Sequence, residues 1–200
     1  MRTEHWSRQG IARPGGWYLS HETPDTSKRI LDIHTSLAEE IRKVSDLPIL
    51  ISPFFDGRFD PSQVSQHLDP AGGRRSVEEH VEQWDEYFSR LGGLIDFCAF
   101  QDGTVEMLDL EEYVRASAEL ARRHGVEPWS NLESFDRDVP MKFPPIDSRK
   151  LLYKLETVQP YVSKVVTFEF SHFMSPNSMC PSARMLYRRY REFVASARTP

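Results

Sequence analysis

The chain has 200 residues, 39% of them apolar, which is enough for one domain with a substantial hydrophobic core. Its net charge of −5 comes without a basic stripe, and no window approaches the roughly 20 apolar residues of a membrane span. The composition therefore disfavours nucleic-acid and membrane partners. Cys98 and Cys180 do not have a metal-ligand spacing, and we expect neither a metal centre nor a cofactor.

Five short apolar segments alternate with segments of helical periodicity. This alternation predicts parallel strands joined by crossover helices, and in such sheets the functional residues gather at the carboxyl ends of the strands. The predicted strands are residues 17–22, 49–54, 95–100, 127–133 and 165–170.

The helical segments have apolar stripes and recognisable ends. The first stripe consists of Ile30, Ile33, Leu37, Ile41 and Val44, and the fourth consists of Leu151, Leu152, Leu155 and Val158. Ser76 with Glu79, and Asp109 with Glu112, each have the spacing of a capping box, and Ser148 is the expected cap of the fourth helix. Gly125 is expected to end the third helix in a left-handed conformation.

Residues 1–16 are polar and contain a Pro-Gly-Gly turn, so we expect a flexible lead-in followed by one domain over residues 17–197. The lead-in has no apolar signal core, which predicts a cytoplasmic location if Met1 is the true start. The longest irregular connection, residues 56–75, follows a strand end, where substrate specificity usually resides.

Several motifs at the predicted strand ends resemble the glycoside-hydrolase-like domain-of-unknown-function family numbered 4434. That resemblance implies a (β/α)8 TIM barrel of which this chain matches strands four to eight with their helices. We therefore expect an α/β fold, a partial (β/α)8 barrel with an open parallel sheet. The motifs are Gly16-Trp-Tyr-Leu-Ser-His-Glu22, Ile51-Ser-Pro-Phe-Phe55, Gln101-Asp-Gly103, Trp129-Ser-Asn-Leu-Glu-Ser-Phe135 and Phe168-Glu-Phe-Ser-His172.

A complete barrel of this type needs roughly 250 residues, and five strands leave two sheet edges without partners. Three interpretations stay open at this point. The chain is a truncated product lacking the first three strands, it closes its barrel by self-association through the open edges, or it forms a rearranged open sheet.

The resemblance at fold level implies that Glu22 and Glu133 are the catalytic pair. In the large barrel clan of retaining glycosidases the acid/base follows strand four and the nucleophile follows strand seven, and these two residues occupy those places. Glycoside hydrolysis needs two carboxyls, one that protonates the leaving oxygen and one that attacks the anomeric carbon or activates water. In that clan an Asn precedes the acid/base, whereas His21 precedes Glu22 here.

Further polar and aromatic residues near the predicted strand ends are candidates for binding an oligosaccharide or polysaccharide substrate. The aromatic candidates could stack on sugar rings, because strand alternation places them on the same faces as the two glutamates. The substrate-binding candidates are Tyr18, Gln101, Asp102, Trp129, Asn131, Glu169 and His172.

Two alternatives to a two-glutamate glycosidase remain. The first is a carbohydrate-binding half-barrel that does not catalyse. The second is a barrel enzyme that uses divalent metal ions, because carboxylates and histidines of ligand type lie at several strand ends.

Overall fold

The computed structural model describes residues 15–23, 26–55, 75–136 and 143–196. Five strands form one sheet in sequence order, and all neighbouring strands are parallel. This arrangement confirms the predicted α/β fold with an open parallel sheet, a partial (β/α)8 barrel. The strands are β1 Trp17–Leu19, β2 Ile49–Ile51, β3 Phe97–Gln101, β4 Glu127–Glu133 and β5 Lys164–Phe168.

Helices connect successive strands and continue after the last one. Within the described residues, none of them combines the length and the apolar character needed to cross a membrane. The helices are α1 Lys28–Val44, α2 Val77–Leu91, α3 Leu110–Arg123, α4 Ser148–Val158, the short α5 Phe170–Phe173 and α6 Pro181–Ser196.

The main hydrophobic core lies between the sheet and the helices. Alternate strand residues, among them Ile51, Phe100 and Leu132, join this core. A group of buried rings surrounds Phe100, where Phe55 stacks at a centroid distance of 4.7 Å and Trp84 meets it edge-on at 4.8 Å. We call the face of the sheet opposite the helices the open face, and the carboxyl ends of its strands the rim.

The first two strands are half as long as predicted, with 3 residues each. The strand predicted over residues 17–22 ends at Leu19, and the one predicted over residues 49–54 ends at Ile51. Pro53 has no N–H to donate, so the β2 ladder is interrupted there and resumes only as a bridge between Phe54 and Gln101. At the other edge of the sheet, β5 ends at Phe168 and Phe170 begins α5.

The ends of α2 and α3 test the capping predictions. The capping box of α2 is confirmed, because Ser76 Oγ accepts from the Glu79 N–H at 3.2 Å and Glu79 Oε2 accepts from the Ser76 N–H at 2.8 Å. Gly125 has a φ of 74°, which confirms the left-handed end of α3. The capping box predicted at Asp109 is wrong, because Asp109 has helical backbone angles and its side chain accepts no capping hydrogen bond.

The fourth helix is also capped differently from the prediction. Asp147 rather than Ser148 is the cap, and its Oδ1 accepts from the Arg149 N–H at 2.8 Å. Ser148 is instead the first helical residue. The buried face of α4 includes Lys154, a charged residue that the apolar stripe did not predict, along with Leu151 and Val158.

The buried face of α1 is rotated relative to the predicted stripe. Leu37 is 46% exposed and Val44 is 78% exposed, whereas Leu31 and His34 are buried. The reason is the position of α1 beside β1, the edge strand, which pairs only with β2. On that side of α1 no further strand and helix of the described chain supply a covering surface.

The predicted lead-in and the connection over residues 56–75 lie almost wholly outside the described residues. The division of the chain at residue 16 therefore stays a prediction.

Candidate functional site

The rim begins at β1, where Tyr18 and Glu22 are joined by a hydrogen bond. The Tyr18 hydroxyl donates to the Glu22 carboxylate, and both side chains are exposed. Partial burial, followed by the hydrogen bond and the negative charge of Glu22, raises the pKa of Tyr18 well above its ordinary value. A hydrogen bond with Ser52 acts in the opposite direction. Tyr18 is therefore a stable hydrogen-bond donor that fixes the Glu22 carboxylate at the rim.

Ser52, which directly follows β2, is hydrogen-bonded to β3 and β4 at the rim. Its hydroxyl donates to the Ala99 carbonyl at 2.8 Å and accepts from Asn131 Nδ2 at 3.1 Å. Gln101 Nε2 donates to the Ser52 carbonyl at 2.8 Å. These bonds form a polar network from β2 to β4 on the open face, and Ser52 also lies near enough to Tyr18 of β1 to affect its pKa. The structure thus brings Tyr18, Gln101 and Asn131 together around Ser52, a residue that the sequence interpretation had not singled out.

Glu133 is the last residue of β4 and lies two positions beyond Asn131, so both side chains point to the open face. It is only 4% exposed. Its carboxyl group lies against Gly103, where a Cβ atom would be 2.0 Å from Glu133 Oε1 and 2.3 Å from Oε2. Only glycine leaves room for the carboxyl group in this position.

Asp102 lies just beyond β3 and is bound by protein groups. Its Oδ1 accepts from the Glu133 N–H at 2.8 Å, and its Oδ2 lies 2.8 Å from the Lys154 ammonium. Sequence reasoning missed Lys154. The available signal was a lysine next to Leu155 and three residues after Leu151, on the face of α4 that the apolar stripe assigns to the core.

Trp129 lies at the other end of β4, about 13 Å from Glu133 at the usual rise per strand residue. Phe97 stacks on its ring at a centroid distance of 4.2 Å, and the Lys164 ammonium lies 4.5 Å from the ring centroid. The indole N–H donates to Glu127 Oε1 at 3.1 Å. The structure therefore does not bring Trp129 together with the rim residues.

Glu169 and His172 follow β5 and lie in and beside α5. Glu169 Oε2 accepts from the Ser171 hydroxyl at 3.0 Å, and Glu169 Oε1 lies 3.8 Å from His172 Nδ1. The His172 side chain is 73% exposed. These contacts are local to the turn into α5, so the role of the two residues in substrate binding stays a prediction.

The alternative of a metal-dependent barrel enzyme requires several ligand side chains that converge on one ion. Among the described residues, no three His, Cys, Asp or Glu side chains lie close enough together to hold a metal ion. The candidates for metal binding, which include Glu22 and Glu133, are therefore not arranged as a metal centre.

The fold and the site together define an α/β protein of the (β/α)8-barrel type with carboxylates at its rim. The sequence matches the family described as Domain of unknown function (DUF4434) over residues 2–180, and the chain belongs to this family. The match confirms the resemblance inferred from the strand-end motifs. A search of curated proteins found no match to the chain.

Solved structures give a further comparison. A protein from Bacteroides thetaiotaomicron described as a candidate alpha-L-fucosidase superposes with a TM-score of 0.81 at 38% sequence identity. The match covers 90% of this chain and 56% of that protein, so this chain spans little more than half of the relative's length.

Two more distant structures are a family 18 chitinase from Crocus vernus and the catalytic domain of a beta-amylase from Paenibacillus polymyxa. The chitinase is 10% identical with a TM-score of 0.44, and the match covers 86% of this chain and 57% of that one. The beta-amylase is 11% identical with a TM-score of 0.42, and the match covers 86% of this chain and 42% of that one. Both TM-scores are below 0.5, so neither likeness bears on the function of this chain.

Proposed function

We propose that this protein is glycoside-hydrolase-like and acts on carbohydrate, with Glu133 and Glu22 as its two reacting carboxyls. Membership of the family and the likeness to the candidate alpha-L-fucosidase support a carbohydrate substrate. The substrate class proposed is an oligosaccharide or polysaccharide.

The observation that carries the proposal is the polar network on the open face. It joins Ser52 to Asn131, which lies on the same strand face as Glu133, and the Tyr18–Glu22 pair lies next to it, since Ser52 is near enough to Tyr18 to affect its pKa. A glycosidase site requires two carboxyls on either side of the glycosidic bond, and both candidates here lie at or just beyond the carboxyl ends of parallel strands.

In the proposed reaction Glu133 attacks the anomeric carbon while Glu22 protonates the leaving oxygen. A glycosyl ester then forms on Glu133, and the leaving group departs as an alcohol. In the second step Glu22 takes a proton from water, and the water oxygen displaces Glu133. We propose that Gln101 and Asn131, which bond to Ser52 on the open face, hydrogen-bond sugar hydroxyls. Trp129, Glu169 and His172 stay predicted substrate contacts without geometric support of this kind.

A second candidate function is carbohydrate binding without catalysis. The small exposure of Glu133, 4%, and the packing of its carboxyl group on Gly103 favour this alternative, because a nucleophile must reach the substrate. Measurement of oligosaccharide binding and of turnover on the same protein distinguishes the two. A bell-shaped dependence of rate on pH would reject the binding-only function.

We also propose that the open edges of the sheet take part in self-association. Within the described residues each of β1 and β5 is paired on one side only, and Trp17 and Phe168 on these strands are 42% and 51% exposed. Sedimentation equilibrium over a range of concentrations tests this, since a monomer at every concentration would contradict it.

Hydrolysis of aryl glycosides, an aryl alpha-L-fucoside among them, tests the proposed activity. We expect Glu133→Gln to abolish turnover and to leave the unfolding temperature nearly unchanged. Glu156→Gln is the matched control, because Glu156 is an exposed glutamate on α4. Equal turnover by Glu133→Gln and the unsubstituted protein would reject the assignment.

A further inference from the structure

Two charged side chains that the proposed reaction does not use bind both backbone groups of Glu133. The Glu133 N–H donates to Asp102 Oδ1 at 2.8 Å, and Lys154 Nζ donates to the Glu133 carbonyl at 3.2 Å. The two charges also contact each other, since Lys154 Nζ lies 2.8 Å from Asp102 Oδ2. The three residues therefore form a closed ring of contacts around the end of β4.

These contacts lie where the sheet gives Glu133 only one strand partner. On one side Glu133 is in register with Phe168 of β5. On the other side β3 ends at Gln101, which is in register with Asn131, two residues before Glu133. The Asp102 carboxylate and the Lys154 ammonium thus supply the acceptor and the donor that a longer β3 would provide.

The pair is expensive as a purely structural element. The Asp102 side chain is 1% exposed and the Lys154 side chain is 11% exposed, so both charges have lost most of their hydration. Apolar residues of similar size often stabilise a fold as well as a buried ion pair or better. Stability alone therefore does not explain why charges occupy these positions.

Gly103 adds a second constraint from the same turn. The carboxyl group of Glu133 lies against Gly103, the residue that directly follows Asp102. The turn after β3 thus holds Glu133 at two points, because Asp102 binds the backbone N–H and Gly103 forms the surface under the carboxyl group. A shift of Asp102 would therefore move both the acceptor of the Glu133 N–H and the Gly103 surface under the carboxyl group.

We propose that Asp102 and Lys154 are positioning residues whose ion pair sets the orientation of the Glu133 carboxylate for attack on the substrate. This inference rests on the proposed function for its catalytic part. The geometric part is that the Asp102–Lys154 pair holds the backbone of Glu133 in place beyond what strand pairing provides. This part does not depend on activity.

The test compares Asp102→Leu, Lys154→Met and the double variant with the unsubstituted protein. Each single variant leaves one charge buried without its partner, so we expect a lower unfolding temperature. We expect the double variant to recover the unfolding temperature. Its Glu133 amide proton nevertheless exchanges about tenfold faster or more, while amides in the middle of β4 keep their protection. With aryl glycosides, kcat of the double variant falls by about a hundredfold at nearly constant KM.

Two further variants serve as controls. Lys150→Met removes an exposed ion pair to Asp136 on the same helix, where the charged atoms are 3.0 Å apart, and should change none of these quantities. Lys154→Arg keeps the positive charge, so its Glu133 amide protection and its kcat should both be higher than those of Lys154→Met. If the double variant does not fold, exchange of the Glu133 amide is measured in Lys154→Met and in Lys150→Met. Equal protection of that amide in the two variants would overturn the proposal.

The outcomes separate the positioning role from the proposed activity. If the double variant regains Glu133 amide protection and kcat together with its unfolding temperature, the pair is only structural and the proposal is wrong. If the unsubstituted protein cleaves no glycoside, the proposed function fails. The exchange rate of the Glu133 amide then still decides the positioning role, because faster exchange in the double variant supports it and unchanged exchange refutes it.

Discussion

The Tyr18 hydroxyl donates its hydrogen bond to the carboxylate of Glu22, four residues further along the chain. Because β1 ends at Leu19, no strand pairing holds Glu22 in place. The tyrosine therefore connects the proposed acid/base to the sheet.

The first prediction concerns this bond. Tyr18→Phe removes only the hydroxyl oxygen, so Glu22 loses its donor while the ring remains. We expect kcat for aryl glycosides to fall by about ten- to a hundredfold with little change in KM, since the substrate still binds and the acid/base is less well oriented. Tyr153→Phe is the matched control, because Tyr153 is 40% exposed on the outer face of α4. Steady-state kinetics that do not distinguish the two variants would argue against this role of Tyr18.

The second prediction concerns Gly103. An added methyl group would overlap the Glu133 carboxyl group, which is the flexible end of a side chain and can move away. Gly103→Ala should therefore displace the carboxyl group, lower kcat by about a hundredfold and cost at most about 1–3 kcal/mol of unfolding free energy. Gly15→Ala is the control, since a Cβ at Gly15 meets no atom within 4 Å. Undiminished turnover in Gly103→Ala would contradict the placement of the carboxyl group.

The third prediction concerns pH and two buried histidines. Burial, reinforced by His21, lowers the pKa of His34 from 6.5 to about 4, and burial, reinforced by Arg75, lowers the pKa of His80 from 6.5 to about 3. Above pH 6.5 both are neutral in the folded and unfolded states. As the pH falls below 6.5 the unfolded chain binds protons that the folded chain does not, so the free energy of unfolding decreases.

The loss amounts to about 3 kcal/mol for His34 between pH 6.5 and pH 4, at about 1.4 kcal/mol per pKa unit. Urea unfolding at a series of pH values measures it. His80→Gln should reduce the slope of stability against pH. A stability that is constant between pH 7 and pH 4.5 would show that these histidines are not held neutral by the fold.

The fourth prediction concerns the two thiols. Burial raises the pKa of Cys98 well above its ordinary value, whereas a hydrogen bond from Ser182, with the Ala183 N–H, lowers the pKa of Cys180. In the folded protein a thiol reagent should modify Cys180 quickly and Cys98 only after denaturant is added. Mass spectrometry of the labelled peptides measures this order. Rapid labelling of Cys98 in native Cys180→Ser would contradict the buried position of β3.

The alternation of strands and helices along the chain, and the residues that share a strand face with Glu133, could be predicted from the sequence because apolar periodicity and strand alternation are local signals. The order of the strands in the sheet, by contrast, followed from the family resemblance. Glu22 lies three residues beyond β1 and Glu133 is the last residue of β4, so both lie close to strand ends. The bonds that organise the rim were not predictable in the same way. Ser52 bonds to residues of β3 and β4 only because β2 pairs with β3 and β3 pairs with β4. The register of that pairing cannot be deduced from local sequence.

Other differences have equally specific physical causes. The α1 stripe misplaced Leu37 because periodicity does not reveal that β1 is an edge strand. Asp109 and Asp147 are both acidic residues before a helix, yet only Asp147 has the extended backbone that lets its side chain accept from the helix. In the sequence Lys154 is one polar residue in a helix. Its role is visible only in the structure, where Asp102, which follows β3, lies beside it.

The covalent intermediate provides the most direct test of the proposal that Glu133 attacks a sugar at the rim. A 2-deoxy-2-fluoro aryl glycoside slows release of the glycosyl ester, and peptide mass spectrometry then locates the attached sugar. We predict an added sugar on the β4 peptide at Glu133, absent in Glu133→Gln and present in Glu156→Gln. Turnover of the aryl glycoside with the sugar attached to a different carboxylate, or undiminished turnover by Glu133→Gln, would contradict it.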